Sequence, residues 1–308
     1  MKLAITGATG FVGSHLVDAA LASGHEVVAL LRPQSNSSVL PRHPALQTLV
    51  YDQLSQESVK RRLQEVHPDI FIHGGWRGVA GKHRDAPFQV VDNLPCTIDS
   101  VALALKCGCR QWIGLGSQAE YGNPNQRIDE SAATHPLTLY GKAKLAAGIA
   151  ALGLCEASGI FGSWIRIFSL YGGGGYSAWV LPYAIRHFLD GTSPALTQCS
   201  QRWDFLHARD AAEAILAVAR EGVPGVFNLG SGSAPPLRDT VEIVRNLIGP
   251  ECPPANYGAI PYSENQVMHL EADIGKIQTS TSWNPRIPLR EGLEQLLADL
   301  LSMHPPKK

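Results

Sequence analysis

Apolar positions along this chain follow two rhythms in alternation. Leu3 to Ile5 is a short unbroken apolar run of the kind a buried strand shows, and it stops at a glycine-rich turn. Phe11, Val12, Leu16, Val17 and Ala20 then recur at helical spacing. The pattern repeats through a second strand over 25–31, a third ahead of Asp52, a fourth ending at His73 and a fifth ahead of Gly116. Such alternation predicts an α/β fold, a doubly wound parallel sheet with helices on both faces. Two predicted helices, 90–107 and 139–158, carry apolar residues on more than one face. The first has Ile98, Val101, Ala102 and Leu105; the second has Leu145, Ala146, Ile149 and Leu152. A helix apolar around much of its circumference is buried on both sides or lies at an interface.

The first turn carries chemistry as well as a break in pattern. Gly7, Gly10 and Gly13 sit between a strand and a helix, where a dinucleotide fingerprint places its glycines. One allows the tight turn, one lets backbone approach a pyrophosphate, and one permits close helix–strand packing. The helix N-terminus then offers free N–H groups to phosphate, with Thr9, Phe11 and Val12 in the same loop. The spacing is G-x-x-G-x-x-G, not G-x-G-x-x-G. Farther on, Tyr140 and Lys144 stand one helical turn apart on one face. An ammonium beside a phenol stabilises the phenolate, so this tyrosine can exchange a proton with a hydroxyl near neutral pH.

Composition narrows the class. With 308 residues, 44% hydrophobic and 17% charged, the chain can bury a large core as one or two domains. A formal charge of −1 makes no electrostatic case for nucleic acid or an anionic membrane surface. No apolar run approaches the ~20 residues that span a bilayer. The amino terminus is already the first strand, so cleaving a signal peptide would remove the phosphate loop, and a cytoplasmic location is expected. Six cysteines read as reduced thiols. Cys107-Gly108-Cys109 lacks a second ligand pair, so no metal is expected, with Cys107 closing a helix and Cys109 leading into a strand. His73 either packs in the core or serves near the nicotinamide.

Thr6-Gly7-x-x-Gly10-x-x-Gly13 together with Tyr140-x-x-x-Lys144 resembles the extended short-chain dehydrogenase/reductase family, above all its nucleotide-sugar epimerases, dehydratases and reductases. Gly116-Ser117-Gln118-Ala119-Glu120-Tyr121-Gly122 resembles the segment after the fifth strand, which implies that Ser117 hydrogen-bonds the reacting oxygen beside Tyr140. Asn93 resembles the family's Asn before its interface helix and is a cofactor-side candidate. Later landmarks are Arg202-Trp203-Asp204-Phe205-Leu206-His207, Asn228-Leu229-Gly230-Ser231-Gly232 and Ala272-Asp273-Ile274-Gly275-Lys276. The resemblance implies a Rossmann domain over 1–172 and about 205–232, and a smaller substrate-binding domain over about 173–204 and 233–308. It also implies a homodimer joined through the helices near 90–107 and 139–158; a monomer that covers those faces internally is the alternative.

The end of the second strand bears on the cofactor. An NAD-preferring site usually has an acid here for the ribose 2′-hydroxyl, but the chain offers none between Glu26 and Asp52. Arg32 can pair with a 2′-phosphate, with Ser35 or Asn36 donating hydrogen bonds, so NADP(H) is preferred over NAD(H). The alternative leaves Arg32 as a solvated loop residue. The resemblance sets Asp52 near the adenine amine. It also implies that a 4,6-dehydratase has acids directly after the catalytic Ser or Thr, where this chain has Gln118 and Ala119. Glu120, one place late, is expected to point elsewhere.

The loop after the fourth strand, His73 to Gly81, contains Trp76-Arg77 between glycines and resembles that of CDP-abequose and CDP-paratose synthase-like reductases. Trp76 then shapes a sugar pocket and Arg77 bonds sugar or phosphate; equally, Trp76 is core and Arg77 exposed. In the substrate half, Arg166-x-x-Ser169-x-Tyr171-Gly172 resembles an R-x-x-N-x-Y-G segment with Ser169 in place of Asn. Gly172 to Gly175 lead toward a helix over 177–190. Arg202 is the diphosphate candidate, one position earlier than the family's arginine, which Trp203 replaces; a surface ion pair is its alternative. The tail 304–308 reads as disordered. These residues point to an NADPH-dependent reductase of a nucleotide-linked 4-keto-6-deoxyhexose, with a nucleotide-sugar 4-epimerase or a non-catalytic NADP sensor as rivals.

Overall fold

The computed structural model describes residues 1–79, 81–175 and 179–303. Strand β1 (Lys2–Thr6) leads through the glycine turn into α1 (Phe11–Ala22), followed by β2 (Glu26–Leu31), β3 (Leu46–Val50), α2 (Glu57–Val66) and β4 (Ile70–His73). A short α3 (Phe88–Val91) and α4 (Asn93–Lys106) precede β5 (Gln111–Ser117) and β6 (Gln126–Ile128). After α5 (Leu139–Ala157) come β7 (Phe161–Ile167), β8 (Ser169–Tyr171), α6 (Val180–Leu189), β9 (Ala195–Leu196) and β10 (Arg202–Trp203). The chain continues through β11 (Phe205–His207), α7 (Ala208–Glu221), β12 (Gly225–Leu229), α8 (Leu237–Ile248) and β13 (Asn256–Tyr257). It ends with β14 (His269–Ala272), α9 (Gly275–Thr281) and α10 (Leu289–Met303).

Seven parallel strands form the main sheet in the order β12-β7-β5-β4-β1-β2-β3. Period-two alternation sends each strand's apolar residues to both faces. Leu3, Ile5 and Ile113 face Leu16 and Val17 of α1 and Ile215 of α7. Ala4, Phe71 and Trp112 face Leu63, Val101 and Ala147 on α2, α4 and α5. A third cluster, with Leu181, Ile185, Val241 and Leu296, joins α6, α8 and α10. The order reverses between β1 and β4, the switch point where open α/β sheets leave a crevice for ligands.

Two glycines are dictated by that crevice. Gly7 turns at φ 70°, and a side chain on it would meet the Gly74 backbone at 2.6 Å. A Cβ on Gly13 would lie 2.0 Å from the Gly7 carbonyl oxygen, so only hydrogen lets α1 sit this close to the loop.

The predicted helix over 90–107 is two helices, broken at Asp92 (φ −108°, ψ −50°). Pro95 has no N–H for the carbonyl of Val91, so α4 restarts with Pro95 in its first turn. The predicted 139–158 helix is α5, with Ser158 as its C-cap. Of the predicted 177–190 helix, α6 covers 180–189; Ser177 and Ala178 lie outside the described residues, as does the tail over 304–308.

The later sequence landmarks meet at one buried carboxylate. Asp204, just before β11, accepts hydrogen bonds from the N–H and hydroxyl of Ser231, each at 2.7 Å, and from the N–H groups of Gly232 and Ala272. Burial pushes its pKa up and those four donors oppose the shift. This clasp ties the β11 entrance to the turn after β12 and to β14. Among the described residues, no helix is long and apolar enough to cross a membrane.

Candidate active site

Register places Ser117. Gly114 of β5 pairs with His73, the last residue of β4, so Leu115, Gly116 and Ser117 run on past β4 into the crevice. A Cβ on Gly116 would meet Trp164 Nε1 at 2.3 Å, so that glycine makes room for the indole behind the turn. Ser117 then starts a capped turn. Its hydroxyl accepts from the Ala119 N–H at 3.2 Å, and its own N–H donates to Glu120 Oε1 at 2.8 Å. Glu120 is fully buried and also accepts from Trp164 Nε1 at 3.0 Å and from Arg166 Nε at 2.7 Å. It points into the core and holds the serine turn from behind.

Helix α5 presents Tyr140 and Lys144. Thr138 caps it by accepting from the Gly141 N–H at 3.2 Å. Gly141 allows contact with the serine turn, because a Cβ there would lie 2.4 Å from the Ala119 carbonyl oxygen. The Tyr140 N–H donates to the Arg84 carbonyl at 2.7 Å. Lys144 is buried: its Nζ donates to the Leu115 carbonyl at 2.6 Å and lies 3.7 Å from the centroid of the Trp76 ring. Desolvation lowers its pKa to about 7, against the pull of Glu120. Trp76 stands edge-on to Tyr140, with ring centroids 6.1 Å apart.

Trp76 is fixed by a chain of buried amides. Its Nε1 donates to Gln89 Oε1 at 2.7 Å, and Gln89 Nε2 donates to the Gly78 and His83 carbonyls. Asn93 accepts from the Arg77 N–H at 2.9 Å and donates to the Arg77 carbonyl at 3.0 Å. The loop after β4 is thereby sewn to α3 and α4.

One cavity of about 910 Å³ collects the phosphate-loop residues Gly7, Gly10, Phe11, Val12 and Gly13 with Trp76, Ser117, Gln118, Tyr140, Lys144 and Ser169. Gly10 is the N-cap of α1 and brings no side-chain cap, so the helix's first N–H groups are available to an anion. These features fit a dinucleotide pyrophosphate.

Other predicted site residues lie elsewhere. Thr9 does not line the cavity. Arg32 is half-buried and bonds Tyr51 and Cys96; burial works against its charge, and those partners outweigh it. Arg32 is thus partnered within the protein and is absent from the cavity lining. Ser35 accepts from the Arg32 N–H at 3.1 Å, and Asn36 is exposed, its amide oxygen accepting from the Ser38 N–H. Asp52 is exposed beyond β3. His73 is core: it bonds Thr6 at 2.9 Å and Thr97 at 3.3 Å, and desolvation lowers its pKa to about 3.

For Asn93 and Arg202 the expectation is corrected, and for Arg77 the exposed alternative holds. Asn93 is spent on the Arg77 backbone and does not reach the cavity. Arg77 is exposed, paired with Asp92 at 3.0 Å and stacked over Phe88, away from the cavity. Arg202 is exposed on β10 while its neighbours Gln201 and Trp203 line the cavity, because successive strand residues face opposite ways. Trp203 Nε1 donates to the Ser169 hydroxyl at 2.7 Å, so the two departures from the family pattern bond each other. Sequence reading missed Glu120's role, although S-x-x-E is the spacing of a capping box. It also missed Arg84, which no local motif marks.

A Rossmann sheet whose glycine loop, serine and Y-x-x-x-K helix open on one cavity defines an extended short-chain dehydrogenase/reductase, an NAD(P)-dependent class. The profile of the NAD dependent epimerase/dehydratase family matches residues 3–230, and the chain belongs to that family. It is 30% identical over 315 residues to a dTDP-6-deoxy-L-talose 4-dehydrogenase (NAD(P)(+)) from Kitasatospora kifunensis, covering 96% of this chain and 94% of the relative. It is 27% identical to a GDP-6-deoxy-D-mannose reductase from Pseudomonas aeruginosa, covering 97% of this chain and 96% of the relative. Its fold matches the UDP-glucuronic acid 4-epimerase from Bacillus cereus, solved with UDP-glucuronic acid and NAD, at a TM-score of 0.85. That likeness is 21% in identity and covers 99% of this chain and 100% of the other.

Proposed function

We propose that this protein uses NADPH to reduce the C4 keto group of a nucleotide-linked 4-keto-6-deoxyhexose. The observation that carries the reading is the lining of the cavity: Ser117, Tyr140 and Lys144 are present, and no carboxylate accompanies them among the described residues. Elimination of water needs an acid beside the serine, and Glu120 is turned into the core against Arg166. Exchange of a proton and a hydride at a sugar carbon is the chemistry that remains. The relatives named as a 4-dehydrogenase and a reductase of nucleotide-linked 6-deoxy sugars support it.

The glycine loop holds the dinucleotide, which when bound supplies the hydride, and Arg32, just past β2, would turn from Tyr51 and Cys96 to meet a 2′-phosphate. Tyr140 protonates the developing alkoxide, Ser117 steadies that oxygen, and the Lys144 ammonium stabilises the phenolate that the transfer leaves behind. The test mixes the protein with NADPH and CDP-, dTDP- and GDP-4-keto-6-deoxyhexoses and follows NADPH loss. Substrate-dependent oxidation supports the reading. Interconversion of nucleotide hexoses on retained cofactor, without net oxidation, replaces it with epimerisation.

Preference for NADPH rests on Arg32. Arg32→Ala is expected to weaken NADPH about tenfold or more while changing NADH less than about twofold, since only the former has a 2′-phosphate to lose. Fluorescence titration of both cofactors checks this, and equal losses would remove the argument. A homodimer through α4 and α5 completes the reading. Those helices pack side by side, yet Ile149 remains 67% exposed. Ile149→Glu is expected to halve the mass found by sedimentation; an unchanged mass argues against this face.

A further inference from the structure

The cavity's charge is confined to one end. Arg84 and Lys144 are the cationic side chains among the described residues that line it. Lys144 is committed to the Leu115 carbonyl and the face of Trp76. The wall formed by β8, β10 and β11 brings none, because Arg202 faces away and Ser169 and Trp203 bond each other. Arg77 is taken by Asp92.

Arg84 is the other cation of the lining. It lies in the loop between β4 and α3, partly buried, and its guanidinium carbon stands 5.3 Å from the centroid of the Tyr140 ring. Its only described side-chain hydrogen bond is a long one, from Nε to the Val79 carbonyl at 3.5 Å. Its carbonyl takes the Tyr140 N–H, so the arginine and the reacting phenol are fixed to one another through backbone. A planar guanidinium with donors to spare suits the oxygens of a phosphate.

We propose that Arg84 binds the diphosphate of the substrate. This rests on the nucleotide-sugar reading above. The anion is then met on the Tyr140 side of the cavity, and Tyr183 and Trp203, which also line it, offer aromatic faces on which the base can stack. The arrangement makes the arginine specific to substrate: the cofactor's pyrophosphate has the glycine loop and the α1 N-terminus.

The experiment titrates the NADPH-loaded protein with CDP, dTDP, GDP and UDP, and with the corresponding neutral nucleosides, in wild type, Arg84→Gln and Arg84→Lys. The wild type is expected to bind one nucleoside diphosphate, the glutamine variant to bind it about tenfold or more weakly, and the lysine variant to fall between. Neutral nucleoside affinity and NADPH affinity are expected to stay unchanged. Equal diphosphate binding in wild type and Arg84→Gln overturns the inference and leaves the nucleotide-sugar reading standing. A loss confined to NADPH overturns it by making Arg84 a cofactor residue. A wild type that binds no nucleoside diphosphate overturns both.

Discussion

Tyr140→Phe is expected to lower kcat by about 10²–10⁴-fold while leaving NADPH affinity within about twofold, the scale on which a positioned proton donor contributes. The substitution removes the hydroxyl and keeps the ring. Trp76 meets the ring edge-on and the Arg84 guanidinium lies over its face, and a phenyl ring keeps both contacts. The helix is also held from outside the side chain, by the Thr138 cap and the bond from the Tyr140 N–H to Arg84. A loss in turnover at unchanged NADPH affinity is then a loss of chemistry. Single-turnover oxidation of bound NADPH is the measurement. Turnover within about tenfold of wild type would move the proton donor to another group.

Lys144 should make catalysis fall on the alkaline side of neutrality. Its pKa is lowered to about 7 by desolvation, so the ammonium that favours the phenolate is lost as pH rises through that value. kcat/KM for NADPH, which reports the free enzyme, is expected to decline above pH about 7. A profile flat to pH 9 would sink this assignment. Stability moves the opposite way. Between pH about 7 and about 10.4 the unfolded chain keeps this lysine protonated while the folded chain does not, so stability rises with pH across that window. Below pH 7 the buried ammonium's cost is fully present. Lys144→Met is thus expected to lose at least about a hundredfold in turnover and yet melt no lower than wild type at pH 6.

Much of this was legible because it is local. A run of apolar residues stopping at Gly7, the glycines at 10 and 13, and a tyrosine one turn before a lysine each have a meaning fixed within a dozen residues. Arg202 was misread, though its one-place offset held the answer: on a strand, one residue is the difference between the two faces. Arg77 and Asn93 could not be read the same way. Their partners, Asp92 and the Arg77 backbone itself, are set by how the loop after β4 folds back on α4. Arg84 was invisible for a related reason, since only the approach of that loop to α5 gives it a place beside Tyr140. The S-x-x-E spacing of Ser117 and Glu120 was visible in sequence, but its burial against Arg166 and Trp164 was not.

The hydrogen bond between Trp203 and Ser169 makes these two positions a single unit of variation. Ser169→Ala leaves a half-buried indole N–H without its acceptor, a loss of about 1–3 kcal/mol. Trp203→Arg strands the hydroxyl and sets a cation against an apolar wall. Neither single step is expected to be neutral, so anyone rebuilding this wall for a different ligand must change both residues at once.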